Sequence, residues 1–599
     1  MAGPTTLRMR FPSQNLGALI DTIVLVMMEN RSFDHLLGWM SLPPYGNRKD
    51  VEGLRGPIDP ATGELTDLAY RNRARNRTWR PYTADRDVPL RADLPHGRAG
   101  TRTQMHYVLP GYLADPTTGE KYVRQGFAMD GFAQAYFDEN PSVPWGLPRC
   151  DPMMMMPPSL VPATAFLARS FMVCDHWFSP IPTDTHPNRL MSLCGFTKID
   201  QTSGEPLPLP DHRTLLDWCD DQKLRWRVYR QAHSFLTLFT MRRPLGLERD
   251  RSRWRHTSQL ADDFRRESKS TFPHLVIVEP SYSDDPTVKK PNDNHPPNPM
   301  APGEAFLADV YRAVTSNPER WQRTLMIVVY DEHGGFFDHV PPFAVTTPRP
   351  GFEDDAWKDR SSFTTSGPRV PAIVVSPLVA PASCSSLRFD HTSVLQLLAD
   401  WATPGYGYSE IVAARQAEGR IDRLAAAILD APLQGRAPAM PAVPPATSFA
   451  TPAQRATTAG TLAFARLPRE AGSNGSDLVA TVDGEVEAAL GPVGAYDVVA
   501  LPGSPPRSPL RAGDILLRAS PGDGPGPMIA RLTTALLHAA GAFPPGVEAE
   551  GQGDGWYAEA LDRTPTGWAD APSYRRVVDD SGFVLPGQIL LRRIDGADG

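Results

Sequence analysis

Between about residues 18 and 430 the chain alternates short apolar runs with longer polar or amphipathic stretches. Thr22 to Val26, His274 to Val278, Leu325 to Val329 and Ala372 to Val375 are rich in Val and Ile and bounded by polar residues or Pro. Such runs read as strands buried on both faces. Between them, Gly303 to Thr315 and Thr392 to Trp401 place apolar residues at helical spacing. Strands alternating with helices predict an α/β/α sandwich around a parallel sheet.

Two of the runs end in oxygen ligands. Glu29-Asn30 follows the apolar run Thr22 to Met28, and Asp331-Glu332 follows Thr324 to Tyr330. Ligands bind at the carboxyl edge of an open α/β sheet. Carboxylate and amide oxygens suit a hard or borderline divalent cation, which points to a metal-assisted enzyme.

A third element is Thr183-Asp184-Thr185-His186-Pro187-Asn188-Arg189, followed by the amphipathic stretch Leu190 to Leu193. Pro suits a first helical turn, and the hydroxyl and carboxylate residues before it are helix caps by type. Free N–H groups at that helix start attract a phosphate, and Thr185 there is a nucleophile that an adjacent metal would activate. A plain helix cap accounts for the same local sequence.

The rest of the chain carries less chemistry. Asp50 to Pro110 is polar and Arg-rich, and Met153 to Met156 precedes two prolines. Both read as insertions, either a cap over the sheet edge or surface decoration. Arg436 to Ala459, with AMPAVPPAT at its centre, has linker composition, so a linker is expected over 436–469. Beyond it, Leu478 to Val482, Asp497 to Leu501, Asp514 to Leu517 and Gln588 to Leu591 read as short strands of a small, mainly β accessory domain over 470–599. RAGDILLR at Arg511 to Arg518 is echoed by LPGQILLR at Leu585 to Arg592, either a weak duplication or a coincidence of turn and strand.

Composition narrows the class. With 599 residues, two or more domains are expected, and 41% apolar with 22% charged residues is ordinary for a globular protein. A net charge of −7 and eight scattered lysines give no footprint for nucleic acid or an anionic membrane. The five cysteines lack metal spacing and are too few for a dense disulfide framework. Met1 to Gly17 holds no apolar signal segment, and the run after it is too short to span a membrane. The expectation is a cytoplasmic protein, with export, if any, by a signal-independent route.

Several ordered blocks carry a family resemblance. MMENRSFDHLLGW at Met27 to Trp39, THPNRL at Thr185 to Leu190, VEPSY at Val278 to Tyr282, DNHPP at Asp293 to Pro297 and YDEHGGFFDHVPP at Tyr330 to Pro342 resemble the signature blocks of the phosphoesterase family. VPAIVVSPLV at Val370 to Val379 and FDHTSVLQLL at Phe389 to Leu398 resemble its later blocks. That family contains bacterial and plant non-specific phospholipases C and related acid phosphatases.

The resemblance implies an alkaline phosphatase-like catalytic domain over 1–435. It implies a divalent metal of unspecified identity on Glu29, Asn30, Asp331 and Glu332, Thr185 as nucleophile, and His295 as phosphate-stabilising donor or leaving-group acid. Asn188 and His333 are candidate phosphate or substrate contacts by position. The Asp and His of the FDH triplets at Phe33 and Phe337, and Asp390-His391, are candidate orienting groups, while Gly334-Gly335 reads as a tight turn. The expected activity is a phospholipase C-like phosphodiesterase with a phosphothreonine intermediate, acting on a phosphoester or phospholipid. The alternatives are an acid phosphatase-like monoesterase, or a binding and delivery module that docks a protein partner through its C-terminal domain.

Overall fold

The computed structural model describes residues 16–443, except 115–120, 145, 203–212, 239–251, 284–287, 289, 348–362 and 434, together with five strand segments beyond 443. An eight-stranded sheet forms its centre. In chain order the strands are β1 (Thr22–Met28), β2 (Met172–Cys174), β3 (Trp226–Arg230), β4 (Trp254–His256), β5 (Leu275–Glu279), β6 (Thr324–Tyr330), β7 (Ala372–Val375) and β8 (Cys384–Ser385). Their spatial order is β4-β3-β5-β1-β6-β7-β2-β8.

β1 lies between β5 and β6, parallel to both, and pairs with β6 in register from Thr22↔Thr324 to Met28↔Tyr330. All seven residues of β1 and of β6 are buried, which is why both read as unbroken apolar runs. Burying each such Val, Ile or Leu contributes about 1.5–3 kcal/mol, so these two strands supply much of the stabilisation of the sheet.

The expectation of a parallel sheet needs correcting at β7, which runs antiparallel to both β6 and β2. A four-residue apolar run carries no directional signal. Arg369, just before β7, therefore stands at the same edge as Glu29-Asn30 and Asp331-Glu332, which follow β1 and β6. The strands absent from the sequence reading have weak patterns: β2 is three residues long, and β3 (WRVYR) interleaves apolar residues with Arg.

Apart from Arg98–Met105, which packs on Phe132–Glu139, the larger helices fall into two packed groups. Ala301–Val314 packs against Leu260–Arg266 and Pro162–Ser170, whereas Thr392–Ala402 packs against Leu16–Leu19, Thr185–Cys194 and Glu410–Gly419. Both helices read from the sequence are present, displaced by at most two residues at an end.

The Arg-rich insertion is folded rather than loose. It forms a hairpin (Asn72–Ala74, Arg77–Trp79) and a helix (Arg98–Met105), with Leu54, Leu65, Trp79 and Leu94 in the core. Met153, Met155 and Met156 are buried, and Met154–Met155 pairs with Tyr82–Thr83. The five cysteines form no disulfide. Among the described residues no helix is long and apolar enough to cross a membrane.

Residues 436–443 are docked. Tyr311 Oη donates to the Pro438 carbonyl at 2.7 Å and Arg312 Nη2 to the Pro441 carbonyl at 3.1 Å, while Ala437, Met440 and Val443 pack on the core. The remainder of the expected linker lies outside the described residues. Farther on, Asp477–Leu478, Tyr496–Ala500, Ile515–Ala519, Trp556–Ala560 and Gln588–Arg593 form an antiparallel sheet. The two echoed strings supply neighbouring strands, paired from Ile515↔Leu591 to Arg518↔Gln588. What surrounds these strands is outside the described residues.

Candidate active site at the carboxyl edge

Because Met28 and Tyr330 are paired, Glu29-Asn30 and Asp331-Glu332 leave the sheet side by side. Asn30 N–H donates to Asp331 Oδ1 at 2.9 Å, and Arg31 N–H to the Glu332 carbonyl at 3.0 Å. Asn30 has a positive φ of 57°, which Asn tolerates better than most residues. The glycines after Glu332 serve this crowding. A Cβ on Gly334 (φ 62°) would stand 1.9 Å from the Asn30 carbonyl oxygen, and one on Gly335 (φ 74°) 2.5 Å from that of Pro95. The tight turn read from the sequence is what these two residues form.

The helix Thr185–Cys194 starts where the Pro and capping residues place it, with Asp184 at the cap position and Gly195 (φ 81°) closing it. All ten of its residues are buried. Thr185 Oγ1 lies 3.3 Å from Glu29 Oε2 and 3.4 Å from Asn30 Oδ1. The amide of Asn188 holds the approach to that helix. Its Oδ1 accepts from Ile181 N–H at 3.1 Å, and its Nδ2 donates to the carbonyls of Thr183 (2.8 Å) and Asp184 (3.0 Å). Asn188 thus positions Thr185, and its polar atoms are engaged by backbone rather than free for phosphate.

The histidines divide into two kinds. His295 is buried beside the cluster, with its N–H on Asp293 Oδ1 at 3.1 Å and its ring edge-on to that of His96 at 5.6 Å. Burial opposes charge on His96, but the carboxylates of Glu332, Asp93 and Asp184 outweigh it and push its pKa up to about 9. The three carboxylates thus favour the charged form of the His96 ring. His333, by contrast, directs Nε2 to Gln104 Oε1 at 2.7 Å, and burial lowers its pKa to about 3. Its Nδ1 is 3.0 Å from Glu332 Oε2 without the alignment of a hydrogen bond. The ring joins the Glu332 loop to the helix Arg98–Met105.

Whether a divalent cation suits this edge is decided by its oxygens. Burial pushes the Glu332 carboxyl up to about 8, against the pull of His96, and its Oε1 is a buried oxygen with no partner. Burial likewise raises Asp184 to about 7 despite His96. Glu29 Oε2 and Asn30 Oδ1 gather at Thr185 Oγ1, and the paired segment brings the orphaned Glu332 Oε1 to the same edge, donors of the hard-oxygen kind that suits such an ion.

A tighter cluster competes for that reading. Asp34, Asp338 and His339 bring one ligand atom each within 4.8 Å of one another. Their oxygens are already engaged. Arg369 Nη2 donates to Asp34 Oδ1 at 3.1 Å and Nε to Asp338 Oδ1 at 2.8 Å, while His339 Nδ1 lies 2.6 Å from Asp34 Oδ2 and Asp34 N–H 3.1 Å from Asp338 Oδ2. We read that cluster as a buried ion network that fixes the two FDH segments, and the Glu332 edge as the better cation site, because only there is a carboxylate oxygen left unpartnered.

Three residues at this edge had no role in the sequence reading. Arg189 and Tyr282 lie inside the family blocks, but block membership alone says nothing of their partners. His96 sits in an aperiodic insertion, where no sequence signal distinguishes it.

Comparison with known proteins bears on this edge. The model of the phosphoesterase family matches residues 20–401. Non-specific phospholipase C1 of Arabidopsis thaliana is 30% identical over 392 residues, covering 63% of this chain and 65% of that protein. Non-specific phospholipase C3 of Arabidopsis thaliana is 27% identical over 405 residues (63% and 68%), and phospholipase C B of Mycobacterium tuberculosis 28% identical over 419 residues (63% and 72%). The chain spans about two thirds of the length of the plant relatives.

Proposed function

The chain belongs to the phosphoesterase family, whose members are phosphoric ester hydrolases, and from that premise we propose that it is a phospholipase C-like phosphodiesterase with Thr185 as its nucleophile. The observation that carries this reading is the Thr185 hydroxyl at a helix start, 3.3 Å from Glu29 Oε2 and 3.4 Å from Asn30 Oδ1, at the edge where β1 and β6 end. In our reading the sheet with its two helix groups is of the alkaline phosphatase-like type.

Glu29, Asn30 and Glu332 would hold a divalent cation, which when bound supplies Lewis-acid charge to the hydroxyl and to the phosphoryl oxygens, whereas Asp331, expected as a fourth ligand, has Oδ2 on Arg189 and Oδ1 on the N–H groups of Asn30 and Glu332 and so lends charge rather than an oxygen. Thr185 directs its hydroxyl hydrogen toward Glu29 Oε2 and presents Oγ1 to phosphorus. The Oγ1–P bond forms as the P–O bond to the leaving alcohol breaks, giving a phosphothreonine. His96 stabilises negative charge on the phosphoryl group from a position with little water, where a fixed cation acts strongly. His295, beside it, protonates the departing alkoxide. Water then attacks phosphorus and gives its proton to His295, Oγ1 leaves and recovers the proton taken up at Glu29 Oε2, and the phosphorylated headgroup is released. Relatives named phospholipases C favour a diester over a monoester substrate.

The test is to expose wild type, Thr185→Ala and Thr185→Ser to phosphatidylcholine micelles and to a chromogenic phosphodiester, with acid quenching and mass spectrometry of the 185 peptide. Phosphorylated Thr185 in wild type, slowed turnover in Ser and none in Ala are expected. Near wild-type turnover by Thr185→Ala would end the covalent route.

A further inference from the structure

Arg189 is the one guanidinium set directly between the ends of β1 and β6 among the described residues. Its Nη2 donates to Glu29 Oε1 at 2.5 Å, Nε to Asp331 Oδ2 at 3.3 Å and Nη1 to Tyr282 Oη at 3.0 Å. The guanidinium carbon lies 4.8 Å from the Tyr282 ring centre and 5.4 Å from that of Phe235. Arg189 and both carboxylates are buried. The arrangement takes one oxygen from each carboxylate. Glu29 keeps Oε2, which faces Thr185, while Asp331 Oδ1 accepts the N–H groups of Asn30 (2.9 Å) and Glu332 (2.7 Å).

We propose that Arg189 sets the charge of the cation site, so that the site prefers a divalent over a trivalent ion and Glu29 offers it a single oxygen. This rests on the reading that the Glu29, Asn30 and Glu332 edge holds a cation. Once a bound cation displaces the proton that burial favours on Glu332, the carboxylates of Glu29, Asp331 and Glu332 carry three negative charges and Arg189 returns one, leaving two. A guanidinium is charged at every working pH and its fork reaches two carboxylates at once. Without it the same oxygens would carry one more negative charge, and a buried trivalent ion would gain from that charge more than a divalent one. Arg189 is a positioning residue, since it touches the ligands and not the ion. The other charges that face these groups, Glu279 toward Arg189 and His96 and His295 toward Glu332, are common to wild type and variants and drop out of the comparison.

The full-length chain, stripped of metal, is titrated calorimetrically with Mn²⁺ and with La³⁺ as wild type, Arg189→Lys and Arg189→Met. In Arg189→Met the ratio of the two Kd values is expected to shift toward La³⁺ by on the order of tenfold or more. Arg189→Lys keeps the charge and so keeps the wild-type ratio, while binding both ions more weakly for want of the fork. A ratio unchanged in Arg189→Met, or shifted equally in Arg189→Lys, overturns the proposal. Wild type that binds neither ion overturns the cation-site reading itself. If Arg189→Met does not fold without metal, its refolding is followed by circular dichroism with each ion: better rescue by La³⁺ supports the assignment, and equal rescue or better rescue by Mn²⁺ overturns it.

Discussion

His391 donates from Nε2 to the carbonyl oxygen of Asp331 at 2.7 Å, which ties the helix Thr392–Ala402 to the ligand-bearing end of β6. The tautomer follows from the other nitrogen. Nδ1 is 3.1 Å from Trp177 Nε1, an indole that can only donate, so the hydrogen resides on Nε2. Burial lowers the His391 pKa to about 4, and the ring is neutral wherever the protein is folded at ordinary pH.

Acid should therefore loosen the fold at a stated place. Burial depresses His186 and His333 to about 3 and His391 to about 4, from an ordinary 6.5. Between those values the unfolded chain binds protons that the native rings refuse. Their stabilising contribution is thus full above pH 6.5 and is lost as pH falls through the folded values. Urea midpoints should fall as pH is lowered from 6.5 toward 4. His391→Gln should remove on the order of 3 kcal/mol of that dependence. An identical slope in the variant would mean that His391 is already protonated in the native state.

The position of Glu29-Asn30 and Asp331-Glu332 at one sheet edge was legible in the sequence because a strand buried on both faces is a continuous apolar run, and its end is marked by the first polar residue. Glu29 and Asp331 are those residues. Thr185 was legible through Pro187 and the capping residues that fix its helix start. Gly334-Gly335 was legible as a turn because only glycine fits there. Contacts across hundreds of residues were not. His333 was expected at phosphate, yet its Nε2 meets Gln104 from a distant insertion, while Asn188, expected there too, turns back on the 181–184 backbone close by in the chain, a loop conformation that residue types alone do not announce. His96 arrives on an aperiodic insertion, and the reversed β7 could not be read because four apolar residues look alike in either direction.

Charge balance at His96 predicts a catalytic effect. Glu332, Asp93 and Asp184 favour the charged form of the ring over the neutral one. His96→Gln keeps a donor but removes the charge, so kcat should fall by on the order of 10²-fold with KM changed much less. Steady-state kinetics on a soluble phosphodiester checks this. A variant that raises KM alone would reassign His96 to ground-state binding.

Arg369 is expected to matter for stability rather than chemistry. It is fully buried and neutralises Asp34 and Asp338 together, while also donating to the carbonyls of Glu52 (2.7 Å) and Asp175 (2.8 Å). Arg369→Met strands two buried carboxylates and should cost about 3–5 kcal/mol. Adding Asp338→Asn should restore part of that loss, as read in chemical denaturation. Additive losses would show that the two residues are not coupled.

Glu304 caps a helix to which it does not belong. Pro162–Ser170 begins after Val161, whose side chain can accept nothing, and Glu304 Oε2 instead accepts from the N–H groups of Ala163 (2.6 Å) and Thr164 (3.0 Å). Thr164 Oγ1 donates to Oε1 at 2.5 Å. Glu304→Ala should cost about 2–4 kcal/mol, from charge-assisted bonds lost and donors left buried. Unchanged thermal unfolding would mean that water replaces the carboxylate.

The division of the chain can be tested at two cuts. All the family blocks precede residue 405 and the family match ends at 401, so hydrolysis is expected to reside before the Pro-rich stretch. The cut should follow residue 443 rather than 435, because Ala437, Met440 and Val443 pack on the core and the carbonyls of Pro438 and Pro441 accept from Tyr311 and Arg312. A chain ending at 443 should melt cooperatively and hydrolyse a soluble phosphodiester at the full-length rate. A chain ending at 435 should lose a few kcal/mol, the sum of partly buried apolar side chains and two hydrogen bonds. Circular dichroism melts separate these outcomes. Equal stability of the two would show that residues 436–443 add nothing to the fold, whereas a well-folded but inactive 443 chain would mean that the C-terminal strands help to order the active edge.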